Sequence, residues 1–366
     1  MGKIIKNIKM YLIKIFSVIK LDEHERWILK QFTALPPIDI EYDFLYSLLQ
    51  VQKLDWKDNF STKLKRLYCT GFLHKNKKNE SYRLRTVLYD VWRTSQFTTI
   101  NEIRSLIDTV INLLGRYDPK DNPIEKISFI PYGVAIIELF PNKIDSDLAL
   151  LRNKLAMVYK DLGKYEKACD LLEEALKITK ENFGEKHPNV AYCQSNLAMV
   201  YSDLGEYEKS RDLFEESLKS DLEYYGDKGL RSVIRQSRLA DVYQKLVEHE
   251  KERDLLEKVY NSVRENFGKK EANVAVCQSK LAKVYSDLGE YEKARDLMEK
   301  ALKITKENSG EKHPNVACYQ NNLAFVYQKL GKYEKARDLL EEALKTAKEN
   351  FGEKHPTVAT RQFILV

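Results

Sequence analysis

Five leucines stand 42 residues apart in the C-terminal part of the chain, and this spacing constrains the fold more than any other feature. They are Leu155, Leu197, Leu239, Leu281 and Leu323. Each opens a similar stretch, of which LAKVYSDLGEYEKARDLMEKALKI is one copy, and five glycines keep the same step: Gly184, Gly226, Gly268, Gly310 and Gly352. A period held over five units without insertion predicts a repeat array built from one supersecondary unit.

Each unit is predicted to form two helices. In the first unit Tyr165, Ala168 and Leu172 begin a series of apolar residues with the spacing of an amphipathic helix. Gly163 suits the tight turn before this helix, and Gly184 suits the left-handed conformation that ends it. A single hairpin of this kind leaves apolar surface exposed, so neighbouring units must stack.

The repeat motif resembles the tetratricopeptide repeat. The residues that carry the resemblance in the first unit are Leu155, Ala156, Tyr159, Gly163, Tyr165, Ala168, Leu172, Ala175 and Leu176. The 42-residue form, with GEKHPNVA between units, is similar to the repeats of kinesin light chains and bacterial signal-transduction ATPases. The resemblance covers residues 144–366, five repeats and a truncated sixth helix. It implies a mainly α fold, a right-handed superhelical solenoid whose first helices line a groove that binds peptide segments of other proteins.

Residues 22–97 have a different pattern. Helices are expected over 22–33, 41–50 and 57–70, followed by a β-hairpin whose strands flank the polar turn HKNKKNE. This order predicts a winged-helix domain, and the segment resembles the winged helix that follows the nucleotide-binding core in NB-ARC signal-transduction ATPases. Residues 98–143 would then be a helical connector. Because no GxxxxGK[ST] motif occurs, no ATPase activity is carried over, and a separate nucleotide-binding signalling ATPase subunit is a candidate partner.

Residues 1–21 are apolar and basic, with the periodicity of an amphipathic helix. Lys14 interrupts the apolar run, so neither a transmembrane segment nor an export signal is expected. The apolar stripe either packs on the next domain or lies on a membrane surface. At the other end, Phe363, Ile364 and Leu365 either fold back on the fifth repeat or contact another copy of the chain.

Charge and cysteine content narrow the function classes. Residues 1–100 contain 18 Lys and Arg against 10 Asp and Glu, whereas the remainder has 43 against 45. The five cysteines form no CxxC or Cys/His ligand set, and without a secretion signal they indicate a cytoplasmic protein. Because no catalytic constellation occurs, we expect a non-enzymatic scaffold with no cofactor and no metal site.

The candidate binding residues are those that the family resemblance places in the groove. They are Asn153, Lys154, Asn196, Arg231, Arg235, Arg238, Lys245, Lys280, Lys283, Asn321 and Asn322. The middle of this set is basic, which favours a partner segment bearing Asp, Glu or phosphate. The alternative is that these are solvated polar positions of a spacer. The third repeat is the most divergent, since Val247 replaces the turn glycine and Glu252 replaces a packing alanine. These changes either shape a bend for a ligand or result from sequence drift.

A second hypothesis is DNA binding through the winged helix. The basic residues that would contact phosphates are Lys63, Lys65 and Arg66 on the third helix, and Lys75, Lys77 and Lys78 on the wing. The alternative is an internal packing module with a solvated hairpin tip.

Overall fold

The computed structural model describes residues 20–94, 97–115, 126–226, 229–268 and 272–352. Within these ranges the chain is mainly helical, with sixteen α-helices and one small sheet. It divides into two compact units, residues 1–184 and 185–366. The predictions for an N-terminal amphipathic helix and for a truncated sixth repeat fall on residues 1–19 and 353–366, which lie outside the described residues.

The N-terminal unit begins with four helices and a three-stranded antiparallel sheet. In chain order the elements are α1 (Glu23–Ala34), β1 (Ile40–Glu41), α2 (Tyr42–Leu48), α3 (Phe60–Cys69), β2 (Leu73–Asn76), β3 (Ser81–Leu84) and α4 (Thr86–Thr94). The three predicted helices and the hairpin are confirmed. The sheet order is β1-β3-β2, with Ile40 opposite Tyr82 and Leu73 opposite Leu84. Strand β1 was not predicted, because two residues are too short to show an alternating pattern.

Local sequence explains where α1 begins. The Asp22 carboxylate accepts a hydrogen bond from the Glu25 amide at 2.9 Å, and the Glu25 carboxylate accepts one from the Asp22 amide at 3.0 Å. This reciprocal capping box satisfies amides that would otherwise lack partners at the helix start. The helix then packs Ile28 and Phe32 into a core shared with Phe60 and other apolar residues of the unit.

Four more helices complete the first unit: α5 (Ile100–Gly115), α6 (Ile130–Leu139), α7 (Ser146–Asp161) and α8 (Tyr165–Phe183). Helix α5 contacts α6 and α7, and α7 pairs with α8 to form the first repeat. Helices α6 and α7 approach closely at Gly133, where a Cβ atom would lie 2.9 Å from Leu155 Cδ1. A larger residue here would force the buried Leu155 side chain to move.

The second unit contains repeats two to five, each a pair of helices. They are α9 (Pro188–Leu204) and α10 (Tyr207–Tyr225), α11 (Leu230–Lys245) and α12 (His249–Phe267), α13 (Ala272–Asp287) and α14 (Tyr291–Ser309), and α15 (Pro314–Lys329) and α16 (Tyr333–Phe351). Each helix packs against the next along the chain, both within and between repeats. The predicted division of every 42-residue unit into two helices is confirmed.

Repeats two to five are joined by a recurring hydrogen bond. The Tyr243 hydroxyl donates to Glu215 at 2.6 Å, and Tyr327 donates to Glu299 at 2.5 Å. Tyr285 makes the equivalent bond to Glu257. In each case a tyrosine on a first helix reaches the second helix of the preceding repeat. Burial, together with donation to the glutamate, raises the pKa of Tyr285 and of Tyr327 to about 12.

Histidines begin two of the first helices. His187 and His313 each accept, through Nδ1, the amide two residues later, at 3.1 and 3.2 Å, ahead of a proline at the first helical position. They therefore serve as the N-cap residues of these helices.

The third repeat departs from its neighbours at one turn position and one packing position. Val247 has φ 61°, in the left-handed region that glycines occupy at the same turn of the other repeats of this unit. Glu252 is buried, and its carboxylate accepts a hydrogen bond from Gln244 at 3.0 Å and lies 3.3 Å from His249 Nδ1. Burial raises the pKa of Glu252. One helical hairpin therefore contains both a valine in a left-handed backbone conformation and a buried carboxylate, and each is energetically unfavourable.

No helix among the described residues is both long and apolar enough to cross a membrane.

Candidate functional site

The first helices of repeats two to five lie side by side and present one continuous surface. Lys280 on α13 donates to Asp241 on α11 at 2.6 Å, and α13 contacts α15 directly. Arg238 on α11 donates to the sulfur of Met199 on α9. We call the exposed residues of α9, α11, α13 and α15 the first-helix face.

A column of exposed apolar residues runs along the first-helix face. Tyr192, Ile234 and Val276 are 37%, 46% and 45% exposed, and Cys318 is exposed at the next equivalent position. Each lies five residues before a repeat leucine, so the column recurs every 42 residues. We call these four residues the apolar ladder. The sequence prediction considered only polar positions and missed them, although their period was visible.

Three arginines of α11 line a cleft on the same face. Arg231, Arg235 and Arg238 are spaced so that they project from one side of the helix. With Tyr192 and Asn196 of α9, they border a cavity of about 220 Å³. Four predicted binding residues, the three arginines and Asn196, are therefore brought together.

Arg235 is buried and forms an ion pair inside the repeat joint. Its Nη2 atom lies 2.8 Å from the carboxylate of Asp221, which is also buried, and its Nη1 atom donates to the Ala191 carbonyl. The Nε atom is buried without an acceptor among the described residues. Burial lowers the pKa of Arg235, and the Asp221 charge opposes this effect. Burial likewise raises the pKa of Asp221, and the arginines oppose that effect.

The other two arginines have weaker partners. Arg238 is half-buried, and its hydrogen bond goes to a thioether sulfur, which is a poor acceptor. Burial lowers the pKa of Arg238, while Tyr192 and Asp241 act in the opposite direction. Arg231 is exposed, stacks over the Tyr225 ring at 5.3 Å and lies 3.2 Å from its hydroxyl. In the described part of the cleft, three guanidinium groups thus face one carboxylate.

The remaining groove predictions do not converge on this cleft. Asn153 is buried and Lys154 half-buried on α7 in the first unit. Lys280 is engaged with Asp241, whereas Lys245, Lys283 and Asn322 are exposed and Asn321 is half-buried. These residues are distributed along the array.

The basic residues of the N-terminal unit are partly engaged in ion pairs. Lys63 pairs with Asp22, and Arg66 lies 3.0 Å from the buried carboxylate of Glu25. On the wing, Lys75 lies 3.3 Å from Glu80. Among the residues predicted to contact phosphates, Lys65, Lys77 and Lys78 are exposed and have no ion pair with a described residue.

In the part of the chain that the structure describes, no three His, Cys, Asp or Glu residues are grouped so that they could hold a metal ion.

The paired helices and the open first-helix face define a helical repeat protein of the interaction class. The tetratricopeptide repeat model matches residues 147–223, 232–307 and 315–365, which is more than half of the chain. The chain therefore belongs to the tetratricopeptide repeat family, whose members bind protein or peptide partners and are typically non-enzymatic scaffolds.

Solved structures support the fold. A Podosopora anserina protein described as a kinesin light chain with TPR-like repeats is 24% identical, with a TM-score of 0.51, and the match covers 54% of this chain and 93% of that one. BtubC (BKLC) from P. vanneervenii is 22% identical, with a TM-score of 0.52, over 62% of this chain and 89% of that one. At this identity the likeness shows the fold alone. No curated protein matches the sequence.

Proposed function

We propose that this chain is a non-enzymatic, cytoplasmic interaction scaffold whose first-helix face binds an acidic peptide segment of a partner protein in a signalling assembly. The observation that carries the proposal is the apolar ladder lying beside three arginines that, among the described residues, face a single carboxylate. Exposed apolar residues in a regular column gain free energy when a partner covers them, at roughly 25 cal/mol per Å². The neighbouring cations favour a partner of opposite charge.

The spacing of the ladder restricts the shape of the partner. Packed helices lie about 8–10 Å apart, and a peptide in the polyproline II conformation advances about 3.1 Å per residue with three residues per turn. A segment of this conformation along the ladder would therefore direct an apolar side chain towards the ladder at every third residue, with acidic residues between them. The right-handed superhelix implied by the family resemblance would present this column on its concave side.

The test of the ladder is selection from a displayed random-peptide library. Wild-type protein should enrich peptides with regularly spaced apolar residues, and the double variant Ile234→Asp/Val276→Asp should lose this enrichment. Tyr333→Asp is the control, because Tyr333 is 71% exposed but lies on a second helix. Equal enrichment by all three proteins would contradict the proposal.

Preference for acidic segments is tested by charge reversal. The variants Arg238→Glu and Lys280→Glu should bind selected acidic peptides about tenfold or more weakly, since charge-assisted hydrogen bonds contribute roughly 1.5–3 kcal/mol. Binding is measured by fluorescence anisotropy at low and high salt. Unchanged affinity would mean that the flanking cations are solvated residues of a spacer and do not contact the peptide.

We further propose that residues 22–97 form a winged helix, residues 98–143 a connector and residues 144–366 the sensing array of a split signalling ATPase. Support comes from the element order of the N-terminal unit, in which helix, strand, helix, helix, strand and strand follow one another around one core. The partner subunit would supply the nucleotide-binding domain. If the adjacent upstream reading frame encodes a phosphate-binding-loop protein, that protein should copurify with this chain, and failure to do so would remove this assignment.

DNA binding is the alternative function, and the exposed wing residues Lys77 and Lys78 favour it. Against it, Lys63 and Arg66 already neutralise Asp22 and Glu25. If the wing binds duplex DNA, retention on a DNA column should fall steeply with salt and should be reduced in Lys77→Glu/Lys78→Glu. No retention at low salt would exclude this function.

A further inference from the structure

We propose that the arginine cleft between α9 and α11 is a phosphate-binding site that takes the phosphoryl group of a phosphorylated serine or threonine in the partner segment. The inference rests on the proposed function, because it assigns a ligand chemistry to one position on the first-helix face. The cavity of about 220 Å³ has room for several waters, at about 30 Å³ each, and therefore for a phosphoryl group with part of its hydration shell.

Arg238 has hydrogen-bonding capacity that the described residues do not meet. A guanidinium has five N–H donors, yet this half-buried one donates to the Met199 sulfur. Removing a cation from water without a strong acceptor is costly, and burial accordingly lowers the pKa of Arg238. An oxyanion in the cleft would supply strong acceptors that the described residues do not.

The described part of the cleft carries more positive than negative charge. Asp221 offsets one guanidinium through the buried ion pair, and Arg235 Nε is buried without an acceptor among the described residues. Two positive charges, on Arg231 and Arg238, then have no ion-paired carboxylate among those residues. A phosphoryl group carries a charge of about −1.5 to −2 and three terminal acceptor oxygens, which matches this excess. A single carboxylate would leave one positive charge unbalanced.

The three arginines occur together in the sequence of only one of repeats two to five. The positions of Arg231 and Arg235 are occupied by Asn189 and Cys193 in the second repeat, and by Asn273 and Cys277 in the fourth. A general demand for solubility would spread cations over every repeat. Concentrating three arginines at one joint, next to Tyr192 of the apolar ladder, instead fixes where an anionic side chain would sit along the bound segment.

The experiment compares three blocked peptides that differ in one residue, phosphoserine, glutamate or serine, placed between two leucines. Affinities are measured by isothermal titration calorimetry, with inorganic phosphate as competitor. The phosphoserine peptide should bind to wild-type protein at least tenfold more tightly than either counterpart, and inorganic phosphate should displace it. Arg238→Gln and Arg231→Gln should each abolish this preference. Arg231 is exposed, so its substitution keeps the test valid if Arg238→Gln lowers stability.

The matched control is Lys280→Gln, which removes one cation at the position equivalent to Arg238 in the next repeat and should retain the phosphoserine preference. Equal binding of the glutamate and phosphoserine peptides, or equal loss of preference in Lys280→Gln, would overturn the phosphate site. Absence of any phosphoserine binding would overturn it as well. If wild-type protein still enriched library peptides with regularly spaced apolar residues, only the phosphate site would have failed. If it enriched no such peptides, the proposed function itself would have failed.

Discussion

At the residue scale, the turn of the third repeat stores conformational strain. Val247 adopts φ 61°, while Gly205, Gly289 and Gly331 occupy the equivalent turns with φ of 83°, 80° and 72°. A left-handed conformation costs an L-residue roughly 1–2 kcal/mol, and β-branching increases the crowding. The sequence predicted the loss of a turn glycine here, but only the backbone shows that the turn keeps its conformation without it.

We therefore expect Val247→Gly to stabilise the second unit. The gain should be about 0.5–1 kcal/mol, because relief of strain is partly offset by the greater freedom of glycine in the unfolded chain. Urea denaturation followed by circular dichroism measures the change. The reciprocal variant Gly289→Val should be destabilised, and a destabilised Val247→Gly would show that the turn is not strained.

Single residues also show where prediction of the site stopped. Arg235 is predicted as a groove residue because of its position in the repeat; it borders the arginine cleft, and its guanidinium is also paired with the buried Asp221. Asp221 lies on the second helix of the preceding repeat, and the sequence alone does not reveal which second-helix residue a given first-helix residue meets. The apolar ladder was missed for a different reason, since polar positions alone were considered.

At the element scale, the joint between α10 and α11 depends on a buried ion pair. Removing one partner of such a pair costs about 3–5 kcal/mol, because the other charge is left buried, whereas replacing both with well-packed residues can be neutral. The neighbouring repeats supply natural replacements, with Thr179 and Thr305 at the position of Asp221, and Cys193 and Cys277 at that of Arg235.

A double-mutant cycle should expose this dependence. The single variants Asp221→Thr and Arg235→Cys should each lower the free energy of unfolding by about 3 kcal/mol or more, and the double variant should recover most of the loss. Thermal and urea unfolding measure the three changes. Additive losses would mean that the two side chains do not depend on each other.

Elements were predicted well where the pattern was long and periodic, and poorly where it was short. Helix pairs such as α13 and α14 follow from the 3.6-residue spacing of their apolar residues and from the glycines between them. Strand β1 has two residues, and it is defined by pairing with β3 rather than by its own sequence. The local sequence pattern cannot predict a strand that forms only because a distant segment pairs with it.

At the scale of the whole array, the tyrosine–glutamate bonds make stability depend on alkaline pH. The pKa of Tyr285 and of Tyr327 is about 12 in the folded chain, against an ordinary value of 10.0, because burial and donation to glutamate favour the neutral phenol. Their contribution is fully present below pH 10 and is lost as the pH rises towards 12.

We expect unfolding midpoints of wild-type protein to fall between pH 10 and 12 more steeply than those of Tyr285→Phe/Tyr327→Phe, which cannot ionise at these positions. Circular dichroism across this range measures both. Parallel curves would mean that these hydroxyls do not couple to folding.

The array should also be least stable in its third repeat, where Val247 is strained and Glu252 is buried with a raised pKa. In a stacked array, stability is approximately a sum of repeat and joint contributions. Amide hydrogens of α11 and α12 should therefore exchange faster than those of α13 and α14. Hydrogen exchange followed by mass spectrometry tests this order, and the reverse order would contradict it.

The repetition of one joint has a consequence for the gene. Glu257 with Tyr285 and Glu299 with Tyr327 form the same connection one period apart. A unit duplicated in frame by unequal recombination would find a compatible surface on either side, so the number of repeats can change in a single step without compensating substitutions. The three arginines of the cleft occur together in only one of repeats two to five. Duplication of another repeat would therefore change the number of residues between the cleft and one end of the array, while the residues that form the cleft stayed the same.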